Sequence, residues 1–194
     1  MAARKPTQAQ SIYQLKITLK HCRPPIWRRV QVRSNSTLAD LHWVIQRSMG
    51  WGSSHLHSFT IRGIEYGVPM PEFGFDEVGL RDEQSVKLSK VISGETFKFF
   101  YLYDFGDSWE HEVLVEKVLQ ADPEISYPIC LKARRACPPE DCGGVWGYQS
   151  FLEAIQDPAH PEHDEMLEWV WGSFDSEAVN LEEINFSLKE ISRD

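Results

Sequence analysis

The residues best suited to chemistry lie between Cys130 and His163, where thiols, carboxylates and imidazoles are concentrated. Three of the four cysteines of the chain fall in this stretch, at Cys130, Cys137 and Cys142, and His160 and His163 follow them. Thiolates and imidazoles are the ligands that zinc prefers in proteins. The set therefore predicts a site for zinc or another divalent metal. The alternative is that the cysteines are small buried apolar side chains.

Two further imidazoles add to this metal hypothesis. His55 and His57 lie two residues apart in a segment with strand character, so their side chains share one face. Such a pair can chelate a metal ion. The alternative is a pair of ordinary exposed histidines near the end of a strand.

A second set of candidates could act as acids and bases. Asp104, Asp107 and His111 belong to the motif DFGDSWEH, while Glu140 and Asp141 belong to PPEDCGG. These groups can transfer protons or hold a metal ion that activates water. A metal-dependent hydrolase or nuclease is one hypothesis, and aspartates that cap their own turn are the alternative. No nucleophile elbow, Walker loop or dinucleotide fingerprint identifies a reaction.

The third set consists of residues that could bind a partner. Trp27, Arg29 and Arg33 share one face of a predicted strand, which could stack on nucleic acid or could be a solvated sheet face. The net charge of -9 disfavours nucleic acid, because contacts to phosphate come from Lys and Arg. Trp109 and Tyr148 adjoin the two acidic motifs and complete the predicted binding residues.

Composition limits the class of protein. A chain of 194 residues with 42% hydrophobic residues is long enough for one domain with a substantial core. The sequence has no run of about 18 apolar residues and no apolar region near its N-terminus, so we expect no membrane span and no secretory signal. These observations predict a cytoplasmic protein, in which cysteines remain thiols or metal ligands.

Hydrophobic periodicity predicts the elements that position these residues. Strict alternation from Ile12 to Lys20 predicts a strand, and an apolar stripe from Leu38 to Met49 predicts a helix. The apolar run at 96–103 predicts a central strand, and 86–92 predicts a short one. The glycine-rich and proline-rich stretch at 63–84 predicts a long irregular loop.

The order of these elements, strands first and helices last, predicts an α+β fold. We expect a mixed, mostly antiparallel sheet with one crossing helix, loosely similar to a β-grasp. Residues 1–11 are predicted to be a flexible N-terminus, and 12–194 to be one domain. Within it, 12–118 would form the sheet core with its helix, and 119–194 the cysteine loop and a helical subdomain.

Four motifs in order carry a resemblance to a known family. They are PPIWRRV, YDFGDSWEHEVLVE, CPPEDCGGVWGY and DPAHPEH, and they span most of the chain. The chain resembles the Ri-plasmid ORF-3-like protein family, which includes the TnpR-like passenger proteins of insertion elements. The resemblance implies a protein of plasmids or mobile elements and no defined activity. We therefore expect a binding or accessory module, with a cleft between the DFGDSWEH hairpin and the PPEDCGG loop.

Overall fold

A computed structural model describes residues 11–69 and 79–191 of the chain. The fold is α+β, as predicted, with one mixed sheet of eight strands and helices packed against it. In the described ranges, no helix is both long enough and apolar enough to cross a membrane.

The sheet is antiparallel except at one edge. Its strand order is β5-β4-β3-β6-β7-β1-β2-β8, and only the β4–β5 pair is parallel. The strands are β1 (Ser11–Leu19), β2 (Ile26–Arg33), β3 (His57–Ile61), β4 (Ile64–Gly67), β5 (Arg81–Asp82), β6 (Lys98–Tyr103), β7 (Trp109–Gln120) and β8 (Ile129–Arg134).

Helices lie between β2 and β3, between β5 and β6, and after β8. The α-helices are α1 (Leu38–Met49), α2 (Leu88–Val91), α3 (Gly144–Gln156), α4 (His163–Trp169) and α5 (Leu181–Glu190), and Glu83–Ser85 forms a 3-10 turn. The periodicity of the sequence predicted α1, where Thr37 and Asp40 form a reciprocal capping box at the first turn.

The core lies between the sheet and helix α1. Alternate residues of β1 are buried here, as the sequence pattern predicted, with Leu15 and Ile17 fully inaccessible. Three aromatic residues of β6, Phe99, Tyr101 and Tyr103, are buried on the same face, whereas Phe100 is 44% exposed. Strand β6 pairs with β3 on one side and β7 on the other, so it is a central strand.

The predicted strand at 86–92 is wrong, because this segment forms a single helical turn. The Leu88 amide donates to the Ser36 carbonyl and the Ser89 amide to the Ser34 carbonyl, which ties the segment to the start of α1. The Ile92 amide then closes the turn onto the Leu88 carbonyl. Tertiary hydrogen bonds therefore override the strand propensity of this apolar run.

The irregular loop predicted at 63–84 is also wrong in part. Its described residues contain strands β4 and β5 and the start of the 3-10 turn, while residues 70–78 lie outside the described ranges.

Helix α5 covers the β8 edge of the sheet. The side chain of Asn185 accepts from the Cys130 amide at 2.8 Å and donates to the Cys130 carbonyl at 3.0 Å. One amide side chain thus takes the place of a neighbouring strand at this position, which satisfies backbone groups that an edge strand would otherwise expose.

Candidate functional site

The turn between β6 and β7 contacts the loop that precedes α3. The Gly143 amide donates to Asp107 Oδ2 at 3.1 Å. Gly144 has φ +69, and a Cβ there would lie 2.5 Å from the Asp107 carbonyl oxygen, so only glycine permits this approach. The indole Nε1 of Trp51 also donates to the Pro138 carbonyl at 3.0 Å. The two acidic motifs of the sequence therefore lie against each other, and their junction, with Asp107 on one side and Gly143 on the other, is the candidate cleft.

Glu140 fixes the loop against the sheet. Its carboxylate accepts from the Gly52 amide at 3.0 Å and from the hydroxyl of Tyr103. Burial and this hydrogen bond both raise the pKa of Tyr103, so the phenol stays protonated and donates. Gly52 and Tyr103 thus hold Glu140 in place, which positions the next residue, Asp141, at the candidate cleft.

Three side chains converge at the mouth of the cleft. His55 Nε2 lies 3.0 Å from Asp141 Oδ1 and 3.7 Å from Asp104 Oδ2. One ligand atom from each residue lies within 4.8 Å of the other two. His55 precedes β3, Asp104 follows β6 and Asp141 precedes α3, so three distant parts of the sequence form the group.

Backbone geometry at this group is unusual. Asp104 has φ 56 and Asp141 has φ 61, both in the left-handed region. Such conformations are less strained for Asp than for most residues, and they are common at functional sites. The Oδ1 of Asp104 accepts from the Gly106 amide at 2.9 Å, which orients the carboxylate and leaves Oδ2 facing His55.

The Nε2 atom of His55 is buried and makes no hydrogen bond of good geometry within the described residues. A buried nitrogen without such a partner is costly unless something else satisfies it. If the ring is protonated, the two carboxylates stabilise its charge at close range. If the ring is neutral, the Nε2 lone pair is available to a metal ion.

These separations suit a divalent metal. Bonds from zinc to imidazole and carboxylate are about 2.0–2.2 Å, so two ligands of one ion lie at most about 4.4 Å apart. The His55 distances of 3.0 and 3.7 Å fall within that limit. One imidazole and two carboxylates form a mixed nitrogen and oxygen set, which suits zinc, manganese or iron.

The three cysteines predicted as ligands are not grouped in this way. Cys130 lies in β8, where its thiol donates to the Lys132 carbonyl at 3.5 Å. Burial raises the pKa of Cys137, and burial together with nearby acids raises that of Cys142 to about 12. Burial raises the pKa of Cys130 as well, so the three thiols are protonated in the absence of a metal ion.

The two predicted imidazole ligands of the same stretch have local partners instead. His160 Nδ1 accepts from the Glu162 amide at 3.1 Å, and His163 Nδ1 lies 2.9 Å from the Ala154 carbonyl. Among the residues that the structure describes, the only group of three or more potential ligands in reach of one ion is His55, Asp104 and Asp141.

Other predicted residues lie behind the cleft rather than in it. His111 is fully buried, with Nδ1 2.9 Å from the Trp109 carbonyl, and burial lowers its pKa to about 4. Trp109 is 1% exposed and Tyr148 is 6% exposed. Both rings belong to the hydrophobic core, and they offer a partner little surface.

The cations of the predicted nucleic-acid face have intramolecular partners. Arg29 forms a bidentate pair with Glu116, at 2.5 and 2.7 Å, and lies with Lys16 over the Trp27 ring. Arg33 lies over the Tyr127 ring at 5.3 Å. This geometry matches a sheet face with arginine stems on aromatic rings.

His55 is the member of the group that the sequence assigned to a different pair of ligands. Its spacing to His57 pointed to a chelating pair, but His57 binds Glu83 instead. The aspartates that approach His55 are 49 and 86 residues further along the chain. Such distant contacts leave no periodic signal.

Comparisons with known proteins identify the family and the fold. The model of the family described as plasmid pRiA4b ORF-3-like protein matches residues 11–183. The uncharacterized protein y4hQ of Sinorhizobium fredii is 41% identical over 183 residues, which are 94% of this chain and 93% of that protein. A protein of unknown function from Methanosarcina mazei Go1, MM3350, has a crystal structure with a TM-score of 0.80 and 36% identity, covering 89% of this chain and 97% of that one. The chain belongs to the plasmid pRiA4b ORF-3-like protein family.

Proposed function

We propose that this protein is a binding module for a divalent transition-metal ion, held by His55 Nε2, Asp104 Oδ2 and Asp141 Oδ1. The observation that carries the proposal is that one ligand atom from each of these residues lies within 4.8 Å of the other two. The buried Nε2, which lacks a hydrogen bond of good geometry in the described residues, supports it.

The surroundings of the group hold its ligands in place. Asp104 is oriented by the amides of its own turn, and Asp141 is positioned through the contacts of Glu140. The bond from Gly143 to Asp107 joins the two ligand-bearing segments directly. Ligands fixed in advance lose less conformational freedom on binding, which favours affinity.

Thermal unfolding of the chelator-treated protein tests the proposal. We expect Zn²⁺ or Mn²⁺ to raise the Tm, because an ion that binds only the folded state at 100 times its Kd stabilises it by about 2.7 kcal/mol. The variant Asp141→Asn keeps a residue that tolerates left-handed backbone but removes the charge, so the rise should be lost.

The matched control is Asp164→Asn in the exposed first turn of α4. This variant removes the same charge away from the cleft and should keep the full shift. A Tm that no transition metal raises, or a rise of equal size in Asp141→Asn, would contradict the proposal.

A metal-dependent hydrolase is the second candidate. Three protein ligands are the number found at catalytic zinc sites, where a fourth position remains for water or substrate. The test is turnover of bis(p-nitrophenyl) phosphate and p-nitrophenyl acetate by protein loaded with Zn²⁺ or Mn²⁺. The hydrolase candidate requires a rate above that of the metal ion alone, and a rate that falls to the background in Asp141→Asn.

A further inference from the structure

A cavity of about 520 Å³ is lined by residues of α3, of α4 and of the loop that precedes α3. Its apolar walls include Phe151 of α3 and Met166 and Trp169 of α4. Phe151 is buried, whereas Trp169 is 40% exposed and meets the Phe151 ring edge to face, with 5.6 Å between ring centroids. A volume of this size, with mostly apolar walls and a few polar groups, is typical of a small-molecule site.

The charged groups of the cavity all have the same sign. Its carboxylates are those of Asp141, Glu162, Glu165 and Glu168, and none of the described residues that line it is Lys or Arg. The sequence itself has no Lys or Arg between Arg135 and Lys189. A concave surface with charges of one sign concentrates ligands of the opposite charge. The cavity therefore favours a cation.

The three glutamates, which we call the α4 carboxylates, recur every third residue and so lie along one side of the helix. In the part of the chain that the structure describes, no ion pair or hydrogen bond engages their side chains. Like charges at this spacing repel each other. Glu168 also places an acid in the last turn of α4, where the helix dipole favours a cation. A bound cation would relieve this repulsion.

An aromatic ring next to carboxylates suits an apolar ligand with a positive charge, because a cation is attracted to the face of Trp. We propose that this cavity binds a small organic cation, an aromatic or alkyl amine, whose apolar body packs on Phe151 and Met166 while its ammonium group faces the α4 carboxylates and Trp169. Asp141 is shared with the proposed metal group, but the α4 carboxylates and the rings are not. The amine site therefore does not depend on a bound metal ion.

NMR titration of the ¹⁵N-labelled full chain in EDTA tests this proposal, with 2-phenylethylamine as the probe. We expect saturable shifts of backbone amides that line the cavity, at Gly147, Ser150, Phe151, Met166 and Trp169. The neutral compound 2-phenylethanol has the same ring and ethyl chain. Its affinity should be about tenfold lower, because it lacks the charge that the α4 carboxylates attract.

A pair of charge variants tests the role of the carboxylates. The double variant Glu165→Gln and Glu168→Gln removes two charges from the cavity and should weaken binding of 2-phenylethylamine about fivefold. The matched double variant Asp164→Asn and Glu190→Gln removes two charges from exposed positions outside the cavity. It should leave the affinity nearly unchanged.

A pair of tryptophan variants tests the location of the site. Ser150→Trp fills the cavity from an exposed position of α3 and should abolish the shifts. Gln156→Trp makes the same change in side chain at the exposed last residue of α3, outside the cavity, and should leave them unchanged. Both positions are exposed, so both variants should fold, which their amide spectra will show.

Four results would overturn the proposal. They are the absence of saturable shifts with 2-phenylethylamine, equal affinity for the amine and the alcohol, equal weakening in the two charge variants, and unchanged binding in Ser150→Trp. The second would mean that the cavity binds apolar rings without using its charge, and the third that only the net charge of the protein attracts the amine. Each result is obtained in EDTA, so it leaves the test of the metal site by thermal unfolding unaffected.

Discussion

Acid should destabilise this protein well above the range in which carboxylates titrate, because two buried histidines resist protonation. Burial lowers the pKa of His42 to about 3 and that of His111 to about 4, from an ordinary value of 6.5. His57 stacks on His42, and the charge of Arg28 acts on His111, so both neighbours also disfavour the charged form. The unfolded chain, in contrast, binds protons at both residues below about pH 6.5.

The direction of the pH dependence follows from these shifts. Both pKa values are lower in the folded than in the unfolded state, so the free energy of unfolding is highest above pH 6.5. It falls at lower pH, because the unfolded state takes up protons that the folded state excludes. At pH 5 each histidine lies about 1.5 pH units below its unfolded pKa and is still neutral when folded. At about 1.36 kcal/mol per unit, each costs about 2 kcal/mol, and together they cost about 4 kcal/mol.

Urea unfolding at pH 7.5 and pH 5.0, in EDTA, measures this difference. The wild-type protein should lose about 4 kcal/mol of unfolding free energy, and His111→Leu, which removes one of the two groups, should lose about 2 kcal/mol. The comparison is between pH values within each protein, so any general destabilisation by the substitution cancels. A wild-type loss under about 1 kcal/mol, or an equal loss in both proteins, would refute the reasoning.

Two substitutions test the packing that supports the cleft. A substitution of Gly by Ala normally stabilises a helix, but in Gly147→Ala the new Cβ would lie 1.8 Å from the Cys142 carbonyl oxygen. We therefore expect Gly147→Ala to lower the free energy of unfolding in urea by about 2 kcal/mol or more. The control Ser150→Ala on the same helix should change it little. Arg28→Met should lower the free energy of unfolding by about 3 kcal/mol or more, because the buried guanidinium of Arg28 donates to three backbone carbonyls. The control Arg47→Met should lower it by under about 1 kcal/mol. Equal losses in either pair would contradict these assignments.

Local sequence patterns predicted much of the sheet. Alternation from Ile12 placed the correct face of β1 in the core, with Leu15, Ile17 and Leu19 buried. These predictions succeed because a strand with one buried face encodes its orientation in every second residue. The apolar stripe of α1 predicted its helix in the same way.

Elements defined by distant contacts could not be predicted in the same way. Strand β8 contains Lys132 and Arg134 on an edge, without clear alternation, and it is stabilised by β2 and by Asn185 of α5. Helix α5, which the sequence did not predict, begins at the Asn180 cap and buries only Leu188 fully. Arg28 interrupts the apolar face of β2, and nothing local indicates that backbone carbonyls satisfy it.

The candidate site also depends on contacts between distant residues, which the sequence did not predict. The sequence singled out Asp104 and Asp141 and predicted that their two motifs would form a cleft. The metal-ligand prediction concentrated on the cysteines, whose thiols lie in buried surroundings that disfavour thiolate. The partner of the two aspartates, His55, comes from a third segment, and only the register of the sheet brings it there.

A crystal grown from chelator-treated protein and soaked in MnCl₂ or ZnCl₂ tests the metal site most directly. We expect an anomalous difference peak about 2.0–2.2 Å from His55 Nε2, Asp104 Oδ2 and Asp141 Oδ1, absent in Asp141→Asn. A cleft without such a peak at millimolar metal, or a peak bound instead by Cys137, Cys142, His160 or His163, would contradict it.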